Sequence, residues 1–216
     1  MGKQMTAEPK MGPALPQTRK RGRRPALPGV RAPKAGPDEN NVNEEIAAMI
    51  RVDHAGEFGA MRIYAGQLAV LGRSRHEGSG VTAIRRMAEQ EQQHFDTFDR
   101  MIKERAVRPT ALEPVWRVAG YALGAATELM GEKAAMACTV AVEDVIDAHY
   151  EKQIERLSKN PQEADLARNL ERFRADERAH RDQALAHDAQ KAPFYPLLLA
   201  AIKLGCRAAI GLSHRL

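Results

Sequence analysis

From about residue 41 onward the apolar positions recur every three or four residues, the period of helices that bury one face. Asn41-x-x-Glu44 has the form of a capping box and predicts a first helix running toward Arg73. Gly78-Ser79-Gly80 breaks the pattern, and a second helix follows to about Arg105, ended before Pro109. An apolar segment from Pro114 to Met130 comes next, with Gly131 as its stop, and then a long helix to about Ser158. Asn160-Pro161-x-Glu163 supplies an N-cap, a proline and an acid for a fifth helix. Pro193 and Pro196 close that helix and open a sixth toward Gly211. No run alternates as a strand bounded by hairpin turns, so the pattern predicts an all-α chain.

The predicted inward faces repeat at a spacing of 86 residues. Ile84, Met87, Glu91, His94 and Phe98 on the second helix correspond to Leu170, Phe173, Glu177, His180 and Ala184 on the fifth. Ile50, Asp53, Glu57, Ala60 and Tyr64 on the first correspond to Met136, Thr139, Glu143, Ile146 and Tyr150 on the fourth. The chain therefore reads as a pseudo-two-fold internal repeat.

Each half places a glutamate 34 residues before a Glu-x-x-His: Glu57, Glu91 and His94, then Glu143, Glu177 and His180. Residues three apart on a helix lie side by side, so one metal can take an oxygen and a nitrogen from each Glu-x-x-His, with facing glutamates bridging or capping. Four carboxylates and two imidazoles without thiolate suit iron or manganese better than zinc. This is the pattern of a two-metal centre inside a four-helix bundle, with two short apolar helices added. A Glu-x-x-His in isolation is more often a solvated pair. Here the surrounding apolar stripe argues for ligands, because glutamate is seldom buried unless paired or metal-bound.

Other polar residues are weaker candidates. Tyr64 and Tyr150 repeat on the ligand faces, and His149 beside Tyr150 suits either a substrate-side role or plain packing. Asp144 and Asp176 adjoin ligands and could orient them or face solvent. His54, His76, His187 and His214 have no partner at useful spacing and read as surface residues.

Charge changes the picture only at the N-terminus. Residues 1–37 hold nine Lys/Arg against Glu8, a net of +8 (9 − 1), which leaves 24 basic and 27 acidic residues (33 − 9 and 28 − 1) beyond them. The basicity belongs to that Pro-rich tail, residues 1–40, which is expected to be disordered beside one domain over 41–216. Arg19-Lys20-Arg21 and Arg23-Arg24 suit contact with anionic lipid, or the tail is a solvated linker. Nothing in the body reads as a nucleic-acid surface. Cys138 and Cys206 lie in apolar runs and predict neither disulfide nor zinc. Val115–Met130 and Leu197–Leu212 span about 16 residues each, too short to cross about 30 Å of hydrocarbon. With Lys203 and Arg207 on one face of the second, they suggest an interfacial, membrane-facing hairpin rather than capping core helices.

His54-Ala-Gly-Glu57-x-Gly-Ala, Glu91-x-x-His94, Glu143-Asp-Val-Ile-Asp-Ala-His149-Tyr150 and Glu177-x-x-His180 together resemble the demethoxyubiquinone hydroxylases of ubiquinone biosynthesis. The resemblance covers about residues 41–216, and all six iron-ligand positions of that family match. It implies a ferritin-like di-iron monooxygenase, bound peripherally to a membrane, that hydroxylates the ring of a polyprenyl demethoxyubiquinone, 2-polyprenyl-3-methyl-6-methoxy-1,4-benzoquinol, with dioxygen. No nucleotide-binding turn is present, so electrons would come from an external reductant such as NADH. The implied location is the cytoplasmic face of a bacterial membrane or, alternatively, the matrix side of the mitochondrial inner membrane. A lipid-binding ubiquinone-biosynthesis protein and a second copy of the chain are further partners it brings into view. The competing classes are a ferritin- or rubrerythrin-like iron-handling protein and a membrane-bound scaffold without enzymatic activity.

Overall fold

A computed structural model describes residues 37–72 and 78–216. The basic tail and His76 lie outside the described residues. Six helices follow in order: α1 (Pro37–Leu71), α2 (Ser79–Glu104), α3 (Glu113–Leu129), α4 (Glu132–Leu157), α5 (Ala164–Ala186) and α6 (Tyr195–Ser213). No strand occurs among the described residues. The protein is an all-α helical bundle, as the apolar spacing requires.

Two starts differ in detail from the sequence expectation. α1 is already helical at Pro37, so Asn41 is an interior residue rather than a cap, and residues 37–40 belong to the helix. Proline at a first helical position loses no hydrogen bond and arrives with φ preset, which is why it begins the helix here. Asn160 does cap: its side chain accepts from the Gln162 backbone N–H at 3.2 Å. It opens a single 3-10 turn, Pro161–Glu163, before α5 begins. Gly131, at φ 110°, ends α3 with a backbone conformation that side chains resist, and α4 starts on the next residue.

α1 pairs with α2, and α4 with α5, and the four enclose the core. Every repeat-face residue is buried except Ile146, which is half-buried. Two apolar layers flank the middle of the bundle. One contains Ile84, Met87, Met136, Val140 and Ala184; the other contains Ile50, Phe98, Leu166, Leu170 and Phe173.

α3 packs on α1 and α6 on α4. Gly120 and Gly124 let α3 lie directly on α1: a methyl at Gly120 would press on the Gly59 carbonyl, and one at Gly124 on that of Ile63. The pair does not form the hairpin expected. They are separated in sequence by two bundle helices and meet at one end, where Trp116 Nε1 donates to Ser213 Oγ at 3.0 Å. Elsewhere they leave a cleft between them. Nor is α6 a 16-residue segment, since its helix runs 19 residues and is long and apolar enough to cross a membrane by length and composition. Lys203 corrects the expected charged rim. It turns onto Asp144 of α4 at 2.6 Å, while Arg207 faces outward. The outer faces of both helices remain open, with Val118 at 69 %, Leu129 at 76 % and Leu204 at 68 % exposure.

Candidate metal centre and its cavity

All six ligand-type residues meet in the middle of the bundle, each at most 2 % exposed. They form two overlapping groups whose ligand atoms lie within 4.8 Å of one another: Glu57, Glu91, His94 and Glu177, and Glu91, Glu143, Glu177 and His180. Glu91 and Glu177 belong to both groups, so the Glu-x-x-His glutamates are the shared pair, while Glu57 and Glu143 stand at the two ends. The sequence grouping by halves is thus crossed in space: His94 Nδ1 lies 3.2 Å from Glu177 and 3.8 Å from its own Glu91. His180 Nδ1 lies 3.1 Å from Glu91 and 3.2 Å from Glu177.

The groups behind these side chains also repeat. His94 Nε2 meets Asp176 Oδ2 at 3.2 Å, and His180 Nε2 meets Gln90 Oε1 at 3.1 Å. Asp176 and Gln90 are themselves 86 residues apart. An acceptor on Nε2 places the proton there and leaves Nδ1 bare toward the centre. Tyr64 donates to Glu143 Oε1 at 3.0 Å, and Tyr150 donates reciprocally to Glu57 Oε1. Each tyrosine thereby fixes the end glutamate of the other half and leaves its Oε2 free.

The unpartnered atoms test whether metal fits. Buried polar atoms without a hydrogen bond include Glu57 Oε2, both oxygens of Glu91 and of Glu177, Glu143 Oε2, and Nδ1 of His94 and His180. Bare carboxylate oxygens and imidazole nitrogens converging on one dry space cost several kcal/mol per charge unless a cation compensates them. Burial and mutual repulsion push the carboxyls of Glu91 and Glu143 well above the usual range. For Glu177 burial acts upward as well, but the imidazoles of His180 and His94, each 3.2 Å away, prevail and hold its carboxyl low. Oxygen and nitrogen donors without sulfur fit a pair of hard or borderline ions.

Beside the centre lies a cavity of about 510 Å³, in the range of small-molecule sites. α1 and α4 form its floor; α3 and α6 form its walls. Val52, Gly56, Ile63, Leu123, Val142 and Ile202 give it an apolar surface, and Glu57 and Tyr150 connect it to the centre. His149 lines it too, with Nε2 3.2 Å from Asp53 Oδ1. Gln153 Nε2 donates to the same oxygen at 2.9 Å.

Several weaker sequence assignments are now placed. His54 is not a surface residue: it is 4 % exposed and stacks on Phe95 with ring centroids 4.7 Å apart. His187 is half-buried against Glu132, and His214 is exposed as expected. Asp144 supports no ligand, being occupied by Lys203. Asp53, Gln90 and Gln153 escaped singling out, although Asp53 stood on the inward stripe and Gln90 is the repeat partner of Asp176.

Fold and site together define a class: a helical bundle whose two halves bury a carboxylate–imidazole cluster able to hold metal, next to an apolar pocket. The particular family follows from comparison. Residues 44–213 match the family described as ubiquinone biosynthesis protein COQ7, and the chain belongs to it. It is 50 % identical over 170 residues to a Rhodospirillum rubrum protein named 3-demethoxyubiquinol 3-hydroxylase, covering 79 % of this chain and 78 % of that one. It is 47 % identical over 189 residues to the Rattus norvegicus NADPH-dependent 3-demethoxyubiquinone 3-hydroxylase, mitochondrial, covering 86 % and 85 %. A Saccharomyces cerevisiae relative, 5-demethoxyubiquinone hydroxylase, mitochondrial, is 38 % identical over 201 residues, with 85 % of each chain covered.

Proposed function

We propose that this chain is a ferritin-like, non-haem di-iron monooxygenase that hydroxylates the ring of a polyprenyl demethoxyubiquinone. One observation supports this above the others: the unpartnered Glu and His atoms converge beside an apolar cavity that Glu57 borders. Two irons held by Glu57, Glu91, His94, Glu143, Glu177 and His180 would supply the activation of dioxygen. The chain's own residues do the rest. Tyr64 and Tyr150 hold the end glutamates, Asp176 and Gln90 orient the imidazoles, and the cavity excludes water while it admits a ring. The isoprenoid tail would leave through the cleft between α3 and α6.

Electrons come from an external reductant of the nicotinamide class, in keeping with relatives named NADPH-dependent. The open apolar faces of α3 and α6 suit peripheral attachment to a membrane, on the cytoplasmic face in a bacterium or the matrix side of a mitochondrion. The same faces would receive a lipid-binding protein that presents the quinone. An iron-handling protein is the rival reading. It shares the centre but has no use for an apolar cavity against one side of it.

Cells lacking the chain test the proposal. They should accumulate the demethoxy precursor and regain ubiquinone when the wild-type chain returns, but not with Glu91→Ala. Normal ubiquinone in the deletion strain would overturn the proposal.

A further inference from the structure

The 86-residue repeat carries the groups of the centre from one half into the other in kind, with one exception. Glutamate answers glutamate, histidine answers histidine, and Tyr64 answers Tyr150. Behind the imidazoles the partners differ. His94 Nε2 meets the Asp176 carboxylate at 3.2 Å, whereas His180 Nε2 meets the Gln90 amide oxygen at 3.1 Å. The geometry is matched and the charge is not. Both supports are only half-buried, so neither is locked into the core by packing.

The two ends of the centre differ in a second way. Glu57 and Tyr150 line the cavity, but their counterparts Glu143 and Tyr64 do not. Glu57 groups with His94, and Glu143 groups with His180. The carboxylate-backed imidazole therefore serves the position beside the cavity, and the amide-backed one serves the position away from it.

Either acceptor holds the proton on Nε2 and leaves Nδ1 bare, so the two rings are oriented alike. Only the carboxylate sets negative charge behind its ring. A hydrogen bond to a charged acceptor is about twice as strong as a neutral one, and it raises the basicity of the nitrogen across the ring. Nδ1 of His94 is thus a stronger donor than Nδ1 of His180.

We propose that the difference between Asp176 and Gln90 makes the two metal positions unequal: the cavity-side position of Glu57 and His94 holds its ion more tightly, and the far position of Glu143 and His180 releases its ion first. Asp176 is then a positioning residue that also strengthens one site over its twin. This rests on the reading of the centre as a two-iron site.

The full-length, iron-loaded protein tests it, titrated without oxygen with a ferrous chelator while the iron left on the chain is counted. Wild type should lose its two irons in separate steps, with chelator midpoints about tenfold or more apart. Asp176→Asn keeps an acceptor and removes the charge, so it should weaken the later step by about tenfold and bring the two together. Gln90→Glu should strengthen the earlier step by a similar factor, a gain that a merely structural role would not produce. Loss of both irons in a single step by wild type would overturn the inequality. So would an Asp176→Asn variant whose loss falls on the earlier step or equally on both. A wild-type protein that holds no iron would sink the functional reading as well. One that hydroxylates its substrate yet releases both irons together would sink only the ordering.

Discussion

At the residue scale the centre is a set of side chains that have given up water without an internal replacement. His94 and His180 show the arrangement most plainly, each held on Nε2 and bare on Nδ1. Supports of this kind commonly contribute about 10- to 100-fold to metal affinity. Asp176→Ala and Gln90→Ala should each weaken iron retention by about that factor in a chelator competition, with helicity unchanged. Equal retention in both variants and wild type would mean that the imidazoles do not serve as ligands. The six central residues were legible from spacing alone, because a glutamate in an apolar stripe contradicts its own solvation. Asp53 stood on the inward stripe and Gln153 repeats Gln67 at the same spacing, but their pairing across two helices is not written in either period. His54 misled for the converse reason: its partner is an aromatic face, Phe95, which no polar spacing announces.

At the element scale, close approach of α3 to α1 decides the shape of the cavity. Gly124→Val would drive a branched side chain into the Ile63 backbone, costing about 1–3 kcal/mol or more and lowering the midpoint of thermal unfolding. A Tm equal to wild type would show that α3 is not held at this contact. Glu128, buried at the end of the same helix, gives a pH dependence. Burial, and then the nearby Glu132, push its carboxyl up to about 7. Between about 4.5, the value expected unfolded, and about 7 the folded chain binds more protons than the unfolded one. Its contribution therefore falls as pH rises through that window. Glu128→Gln should stabilise the protein by about 1–2 kcal/mol at pH 8 in denaturant titrations and make no difference at pH 4. Helix existence was plain in the sequence, and helix pairing was not. α3 and α6 are apolar on more than one face, and contacts such as the glycines of α3, Trp116 with Ser213 and Lys203 with Asp144 fix which face turns inward.

At the scale of the whole described bundle, four helices form a two-fold repeat that α3 and α6 make asymmetric. Their side carries the cavity and the open apolar surface, so the proposed substrate entry and the proposed membrane contact fall on one face. Replacing Val118 and Leu204 with glutamate should sharply reduce cosedimentation with anionic liposomes and leave iron content intact, since both residues point away from the bundle. Unchanged liposome binding would move the membrane contact elsewhere.

The most direct test of the central claim follows the oxygen atom. Purified, iron-loaded protein receives a demethoxyquinol, a nicotinamide reductant and isotope-labelled dioxygen, and the product ring is weighed by mass spectrometry. The account predicts one labelled oxygen in the new hydroxyl, none from labelled water, and no product from Glu57→Ala/Glu143→Ala. An unlabelled hydroxyl, or an unchanged ring beside a full complement of iron, would contradict it.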